Sequence, residues 1–365
     1  MRLINLFGIG AVLILMAGCT SPHKNILSEE LAVAQTFNPE TYICYQSSGE
    51  IVVDGKLDEV DWEKAAWTNV FVDIEGDKKP APTYPTRAKM LWDTACFYVA
   101  AELVEPHLWG TLHQRDTVIF YDNDFEIFID PDWDTHNYYE FEMNALNTVW
   151  DLLLTKPYRD DGVPIDSWNI IGLKTGVHIS GTLNDPSDID NKWFVEVAMP
   201  LEVLMEAQAG QSIPVDGDQW RVGFSRVQWQ MEIENGAYKK KKGPAGERIP
   251  EDNWVWSATD EINMHKPELW GVVQFSESNT DNQFAVYQQD EDWEIISQLR
   301  NLYYRQNNYM QLFNAFASST AELRFDDFNP QIVIHGNTYT ASQISTSGEF
   351  YWFIREDGRL WKGQK

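Results

Sequence analysis

From about residue 42 to about residue 275, short apolar, aromatic and β-branched runs alternate with clusters of Gly, Pro, Asp and Asn, the pattern of strands separated by turns. "EIVVDG" runs into a turn at Asp54-Gly55, and "RAKMLWD" and "CFYVAAEL" flank a turn at Asp93-Thr94. "FEIFID" and "YYEFEMNAL" are joined by the loop "PDWDTHN", and "WFVEVAMP" and "WRVGFSRVQW" follow. Many short strands with few helical segments between them predict a mainly β fold, an antiparallel β-sandwich over residues 41–277. Past the polar stretch "SESNTDNQ" the period becomes helical: Trp293, Ile296, Leu299, Tyr303, Met310, Phe313 and Phe316 keep close to one face. Two strand-like segments close the chain, "PQIVIHGNTYTAS" and "GEFYWFIREDGRLW", the second turning at Asp357-Gly358. This helix and β-hairpin, residues 285–365, bury little surface alone and are expected to dock on the sandwich as an appendage.

Composition adds a constraint on partners. Aromatic residues make up 13% of the chain, with 16 Trp, more than a core alone requires. The formal net charge of −28 excludes nucleic acid and anionic membrane surfaces as partners, because both need clustered Lys and Arg. The one basic run, Lys239 to Lys242, lies between Gly236 and Gly243 and reads as a solvated loop tip.

Arg2, an apolar stretch and small residues before Cys19 predict a cleaved export signal over residues 1–18. Leu15-Met16-Ala17-Gly18-Cys19 resembles the bacterial lipobox, which implies lipidation of Cys19 and a flexible tether over residues 19–40. The membrane contact is then a lipid anchor only, and the location the outer membrane of a bacterial envelope, on its periplasmic or surface face. Cys44 and Cys96 remain; an oxidising envelope permits their pairing, and two inert thiols are the simpler reading. The seven His show no zinc spacing, and no P-loop, GxGxxG or GxSxG is present.

The stretch "DNDFEIFIDPD" carries five carboxylates, and three chemistries compete for it. An EF-hand is excluded, since Ile127 stands where the loop requires Gly; for the register beginning at Asp130, Thr135 fails in the same way. Asp130, Asp132 and Asp134 stay open between turn-forming acids and a calcium site of another kind. A glycosidase pair within this one strand is disfavoured. Glu126 and Asp130 would stand about 13 Å apart, and Asp124 and Glu126 would approach a substrate from one side.

Alternation accounts for the segment better. Phe125, Ile127 and Ile129 point one way as core, and Asp124, Glu126, Phe128 and Asp130 the other. In the next strand Tyr138, Glu140, Glu142 and Asn144 share a face. If the two strands pair across "PDWDTHN", Glu126, Glu140, Glu142 and Asn144 form one polar patch with aromatics beside it, a mixture suited to sugar hydroxyls and C–H faces. Arg226, in "FSRVQW", is read as alternating outward from Phe224 and able to reach this patch. Trp62, Trp67, Trp92 and Trp270 are assigned to the core.

"IVVDGKLDEVDW", "AKMLWDTACFYVAAEL", "NDFEIFIDPD", "WFVEVAMPLEVL" and "NWVWSATDEINMHKPELWGVVQF", in this order, resemble the carbohydrate-binding module family 9-like domains. The resemblance implies a β-sandwich that binds oligo- or polysaccharide, with calcium in some members. It also implies a slot between two aromatic rings in which Glu, Asn and Arg read hydroxyls. Glu126 matches the Glu, Asn144 the Asn, and Phe120 or Tyr121 the first ring. Glu142 stands where the Arg is expected and Met264 at or near the second ring; Trp254, Trp256, His265 and Trp109 are the candidates to replace it. The expected function is an envelope-anchored glycan-binding lipoprotein in polysaccharide capture or breakdown. Two alternatives remain open: a glycoside hydrolase using carboxylates on adjacent strands, such as Glu126 with Glu140 or Glu142, and a structural lipoprotein with a degenerate sugar site.

Overall fold

The computed structural model describes residues 35–208, 212–325 and 328–364; the signal segment, Cys19 and the tether up to residue 34 lie outside the described residues. The period-two runs become β1 (Thr41–Gln46), β2 (Val72–Asp73), β3 (Thr86–Trp92), β4 (Cys96–Val104), β5 (Asp124–Asp130), β6 (Tyr138–Asn144), β7 (Val149–Leu154) and β8 (Pro164–Ile165). They continue as β9 (Lys174–Ser180), β10 (Lys192–Pro200), β11 (Gln219–Gln228), β12 (Met231–Glu234), β13 (Ala237–Lys240), β14 (Asp252–Val255) and β15 (Gly271–Asn279). One sheet runs β8-β7-β6-β5-β11-β15-β1-β3-β4-β10-β9, with β14 attached to β11 and β2 to β14. It folds over so that β5, β6 and β11 pack against β3, β4 and β10. Phe125, Ile127, Phe141 and Phe224 join Met90, Val99 and Val197 in one buried cluster.

The architecture is the expected sandwich, with one difference. β1 runs parallel to both β15 and β3, the neighbours between which it is inserted. Parallel neighbours need long connections, and both partners of β1 are distant enough in the chain to supply them. "EIVVDG" forms no strand. Its Asp54 and Gly55 amides instead donate to Glu196 Oε2 (3.0 and 2.9 Å), while Trp62 Nε1 donates to Glu196 Oε1 (2.8 Å). Gly55, at φ 83°, passes so close to the backbone of Val177 and His178 that a Cβ would lie 2.5 Å away. Trp62, Trp92 and Trp270 are buried, whereas Trp67 is only half-buried, with the Arg87 guanidinium 4.2 Å from its ring centre. Cys44 and Cys96 are free thiols.

Lys239 and Lys240 do not sit on a loop tip. They belong to β13, paired with β12, and Lys240 Nζ lies 3.4 Å from the ring centre of Trp229.

The C-terminal unit is larger than a helix and one hairpin. A helix spans Trp293–Phe313 and four antiparallel strands follow: β16 (Gln331–His335), β17 (Thr338–Ile344), β18 (Phe350–Arg355) and β19 (Leu360–Gln364). The unit has its own core, in which Ile296, Leu299, Leu302 and Tyr303 of the helix meet Tyr339, Trp352 and Ile354 of the sheet. Asn314, in the left-handed region at φ 53°, ends the helix before Phe316. The unit meets the sandwich along a polar seam. Arg359 Nε contacts Asp134 Oδ2 (2.9 Å), His136 Nε2 contacts Asp357 Oδ2 (3.2 Å), and Arg300 donates to the carbonyls of Trp133 and Gly358.

Candidate functional site

β5 and β6 pair as the alternation requires, with Glu126 opposite Glu142 and Phe128 opposite Glu140. The neighbouring strands extend each row. Ser225, Glu126, Glu142 and Trp150 stand side by side across β11, β5, β6 and β7, and Gly223, Phe128, Glu140 and Leu152 form the next row. Gly223 leaves room for Trp270, whose ring a Cβ would meet at 2.9 Å and which packs on Phe128 with centroids 5.4 Å apart.

This polar face is not open to solvent: every residue of β5 and β6 is buried. Loops roof it and leave a cavity of about 320 Å³. Glu126, Glu140 and Glu142 form its floor beside Phe128 and Trp150. Phe120 and Tyr158 contribute one part of the wall; Ile262, Asn263, Met264 and His265 contribute another, with Glu251 and Asn253 at the side. The wall residues are held by specific bonds. Phe120 N donates to Glu142 Oε2 (3.0 Å), Trp270 Nε1 to the Met264 carbonyl (2.8 Å), and the Tyr138 hydroxyl meets His265 Nδ1 at 2.9 Å. The His265 and Tyr158 rings meet edge to face at 4.5 Å.

No Lys or Arg lines the cavity among the described residues. Burial pushes the Glu126 carboxyl up to about 7, with Glu251 adding to the rise. Burial first, and then the charge of Glu126, pushes Glu140 and Glu142 well above the usual carboxylate range; the same two causes act on Asp124 beneath them. Asp124, Glu126 and Glu142 each bring a carboxylate oxygen within 4.8 Å of the other two. At that separation two ionised carboxylates repel by about 3 kcal/mol at an effective dielectric constant of about 20. His265 is held neutral at pH 7, burial and then Arg159 lowering it to about 4.

Of the residues singled out in the sequence, the structure brings Glu126, Glu140, Glu142, Phe120 and Met264 to the cavity. Six others are placed elsewhere. Asn144 is fully used inside the protein: its amide donates to the Leu112 carbonyl (2.9 Å) and Asp122 Oδ2 (3.0 Å), and its oxygen accepts from Leu146 N and Thr148 N. Arg226 is two residues from Phe224 and therefore on the same, inner face. There it donates to Glu105 Oε2 and Thr86 Oγ1, both at 3.0 Å. Trp256 is core, its ring filling the space above Gly271, where a Cβ would lie 2.3 Å from it. Tyr121 stays outside the cavity, about half exposed, its ring 5.0 Å from that of Phe120. Trp109 and Trp254 are likewise buried away from the cavity, and His265 alone of the four proposed replacements lines it. Trp150 and Tyr158 were not anticipated. The alternation of "VWDLLL" beside β6 carries the signal for Trp150, whereas Tyr158 arrives on a loop.

Asp130, Asp132 and Asp134 do converge, with one carboxylate oxygen each within 4.8 Å of the others. Their surroundings supply donors already. Asp134 accepts from His136 N (2.6 Å) and Arg359 Nε (2.9 Å), and Asp130 Oδ2 accepts from Thr135 N (3.0 Å). Arg359 thus supplies at Asp134 part of the positive charge that calcium would bring, while Asp130 Oδ1 is buried without a hydrogen-bond partner among the described residues.

The model for carbohydrate family 9 binding domain-like proteins matches residues 53–278. The chain belongs to this family. The match spans every residue that lines the cavity and stops before the C-terminal unit. Two solved structures similar to the chain are a family 9 carbohydrate-binding module from Caldicellulosiruptor kristjanssonii in complex with cellotriose and a protein from Bacteroides uniformis described as carbohydrate-binding. The first has 17% identity, covering 68% of this chain and 99% of the other, with a TM-score of 0.40. The second has 13% identity, covering 66% and 100%, with a TM-score of 0.47. No curated protein matches the chain. Within the family fold the cavity is acid-floored, and part of its wall is braced from outside the matched region. Arg159, next to Tyr158, donates to Tyr303 OH (3.1 Å), the His265 carbonyl (3.3 Å) and Glu268 Oε2 (3.0 Å), and Tyr303 lies in the C-terminal helix.

Proposed function

We propose that this chain is an envelope-anchored glycan-binding lipoprotein that captures oligo- or polysaccharide in the cavity above β5, β6 and β7. One observation carries the reading. A sandwich of a carbohydrate-binding family encloses a cavity of about 320 Å³, within the size range of small-ligand sites, in which acceptor carboxylates lie beside aromatic rings. Sugar hydroxyls donate to Glu126, Glu140 and Glu142, and the C–H faces of the ring pack on Trp150, Tyr158 and Phe120. Glu126 and Glu142 rise from one sheet and address a ligand from the same side, which suits a binding floor; hydrolysis needs carboxylates flanking the bond. Residues 1–19 support the envelope location through their apolar stretch and lipobox-like ending.

The test is a glycan array on the full chain in detergent, followed by calorimetry with the best ligand; glucose and cello-oligosaccharides are the first probes. The expected result is saturable binding that Glu126→Gln weakens by about tenfold to a hundredfold, the worth of a hydrogen bond to a charged group. An affinity unchanged by Glu126→Gln places the ligand elsewhere, and the absence of binding to any glycan refutes the reading. Labelling with radioactive palmitate, lost in Cys19→Ala, tests the anchor.

A further inference from the structure

The cavity floor presents an unsolved charge problem. Asp124 and Glu142 each use one oxygen on a backbone amide, Asp124 Oδ1 accepting from Val227 N (3.3 Å) and Glu142 Oε2 from Phe120 N (3.0 Å). Asp124 Oδ2 and Glu126 Oε2 are buried and have no hydrogen-bond partner among the described residues. Buried polar atoms are nearly always satisfied, so two orphaned oxygens in one cluster mark a place where something binds. The convergence of three carboxylates is the geometry a cation takes. Oxygens held by one calcium ion at about 2.4 Å lie at most about 4.8 Å apart, the limit within which these three fall.

We infer that Asp124, Glu126 and Glu142 hold one divalent cation of the calcium class at the floor of the cavity, its open coordination positions facing the ligand. Three carboxylates on a rigid sheet suit calcium better than magnesium, which keeps most of its water and is usually held by one or two carboxylates. The Asp130 cluster also keeps one unpartnered oxygen, Asp130 Oδ1, but there Arg359 already pairs with Asp134. At the floor no cationic side chain pairs in this way among the described residues. Vicinal hydroxyls of a sugar complete the coordination sphere, so glycan affinity depends on the ion; this second half rests on the glycan-binding reading.

The full chain, stripped with EDTA, is titrated with calcium by calorimetry beside Glu142→Gln and Asp132→Asn. One site is expected in the wild type and in Asp132→Asn, with at least a tenfold loss in Glu142→Gln. No calcium binding up to millimolar concentration, or equal binding in Glu142→Gln, overturns the site. Terbium luminescence excited through Trp150, which stands opposite Glu142 in register, guards against a misfolded variant. Trp150→Phe is expected to keep calcium affinity and lose most of the sensitised emission; emission retained in Trp150→Phe places the ion elsewhere. The ligand identified by array is then titrated into calcium-loaded and stripped protein. At least tenfold weaker binding to the stripped form supports the second half, and equal affinity overturns it. If no glycan binds in either state, the proposed function fails while the calcium titration still decides the site.

Discussion

At the cavity floor Glu126, Glu140 and Glu142, with Asp124 beneath them, have no Lys or Arg in the lining among the described residues, whereas at the seam Glu268 has Arg159 on one oxygen and the Tyr304 hydroxyl on the other. All five are buried acids, yet their acidities move in opposite directions. Glu268 is buried too, but Arg159 and then Arg300 outweigh the burial and lower it to about 2. Asp357, at the same seam, is lowered by His136 and Arg355 in spite of its burial. At the floor no cation offsets burial, the hydrogen bonds to these acids lower them by less than burial raises them, and the acids are pushed up. The seam spends its carboxylates on holding two units together; the floor keeps its carboxylates for a ligand. Substitutions in the two regions should therefore have opposite signs.

The largest expected effect is at the seam. Arg159→Met leaves Glu268 buried beside Arg300 but without its direct partner, and breaking such a pair costs about 3–5 kcal/mol. Urea denaturation should show this loss, with most of it recovered in Arg159→Met/Glu268→Gln. At the floor, Glu126→Gln removes a charge that its neighbours repel. In metal-free protein it should leave stability unchanged or raise it by about 1 kcal/mol while weakening the ligand. A loss above about 1 kcal/mol in metal-free Glu126→Gln would erase the distinction between the two regions.

The pH dependence sharpens the same contrast. The carboxyl of Glu268 is lower in the folded state, at about 2, than its ordinary value near 4.5. Its contribution is therefore complete above about pH 4.5 and declines as pH falls toward 2, a difference of roughly 3 kcal/mol in all. Stability measured from pH 7 to pH 2.5 for wild type and Glu268→Gln should converge at the acid end. Parallel curves would mean that Arg159 is not paired with an ionised Glu268.

Much of this contrast was legible on the floor and little of it at the seam. Alternation in β5 and β6 sorted Phe125, Ile127 and Ile129 from Glu126 and gave the pairing, because a sheet with one packed face has a fixed register. The same rule, counted correctly, puts Arg226 on the face of Phe224. Asn144 matched the family position but ends its strand, where the turn to Thr148 claims its amide; a strand pattern does not show such a claim. Tyr158 and the loop Ile262–His265 come from distant parts of the chain, and no local period reports where loops settle. The extra strands at the C-terminus had a local signal. Gly336-Asn337 joins His335 to Thr338 as a two-residue hairpin turn inside what had seemed one segment.

The smallest effect tests whether the two regions communicate. Tyr303→Phe keeps the ring in the C-terminal core but removes a hydroxyl that donates to Asp160 Oδ1 (2.6 Å) and accepts from Arg159 Nε. Arg159 retains Glu268 and the His265 carbonyl, so the ion pair survives and stability should fall by only about 1 kcal/mol. Tyr158 precedes Arg159 in the chain, and His265 carries the carbonyl that Arg159 binds, so any slack in the Arg159 side chain reaches two residues of the cavity wall. Coupling of about 0.5 kcal/mol through such a packed network corresponds to an affinity about two- to threefold weaker, measurable by calorimetry beside the wild type. An unchanged affinity with the same small loss of stability would confine the C-terminal unit to holding the fold. A weakened affinity in a folded variant makes the unit, which lies outside the family's matched region, part of the binding site it braces.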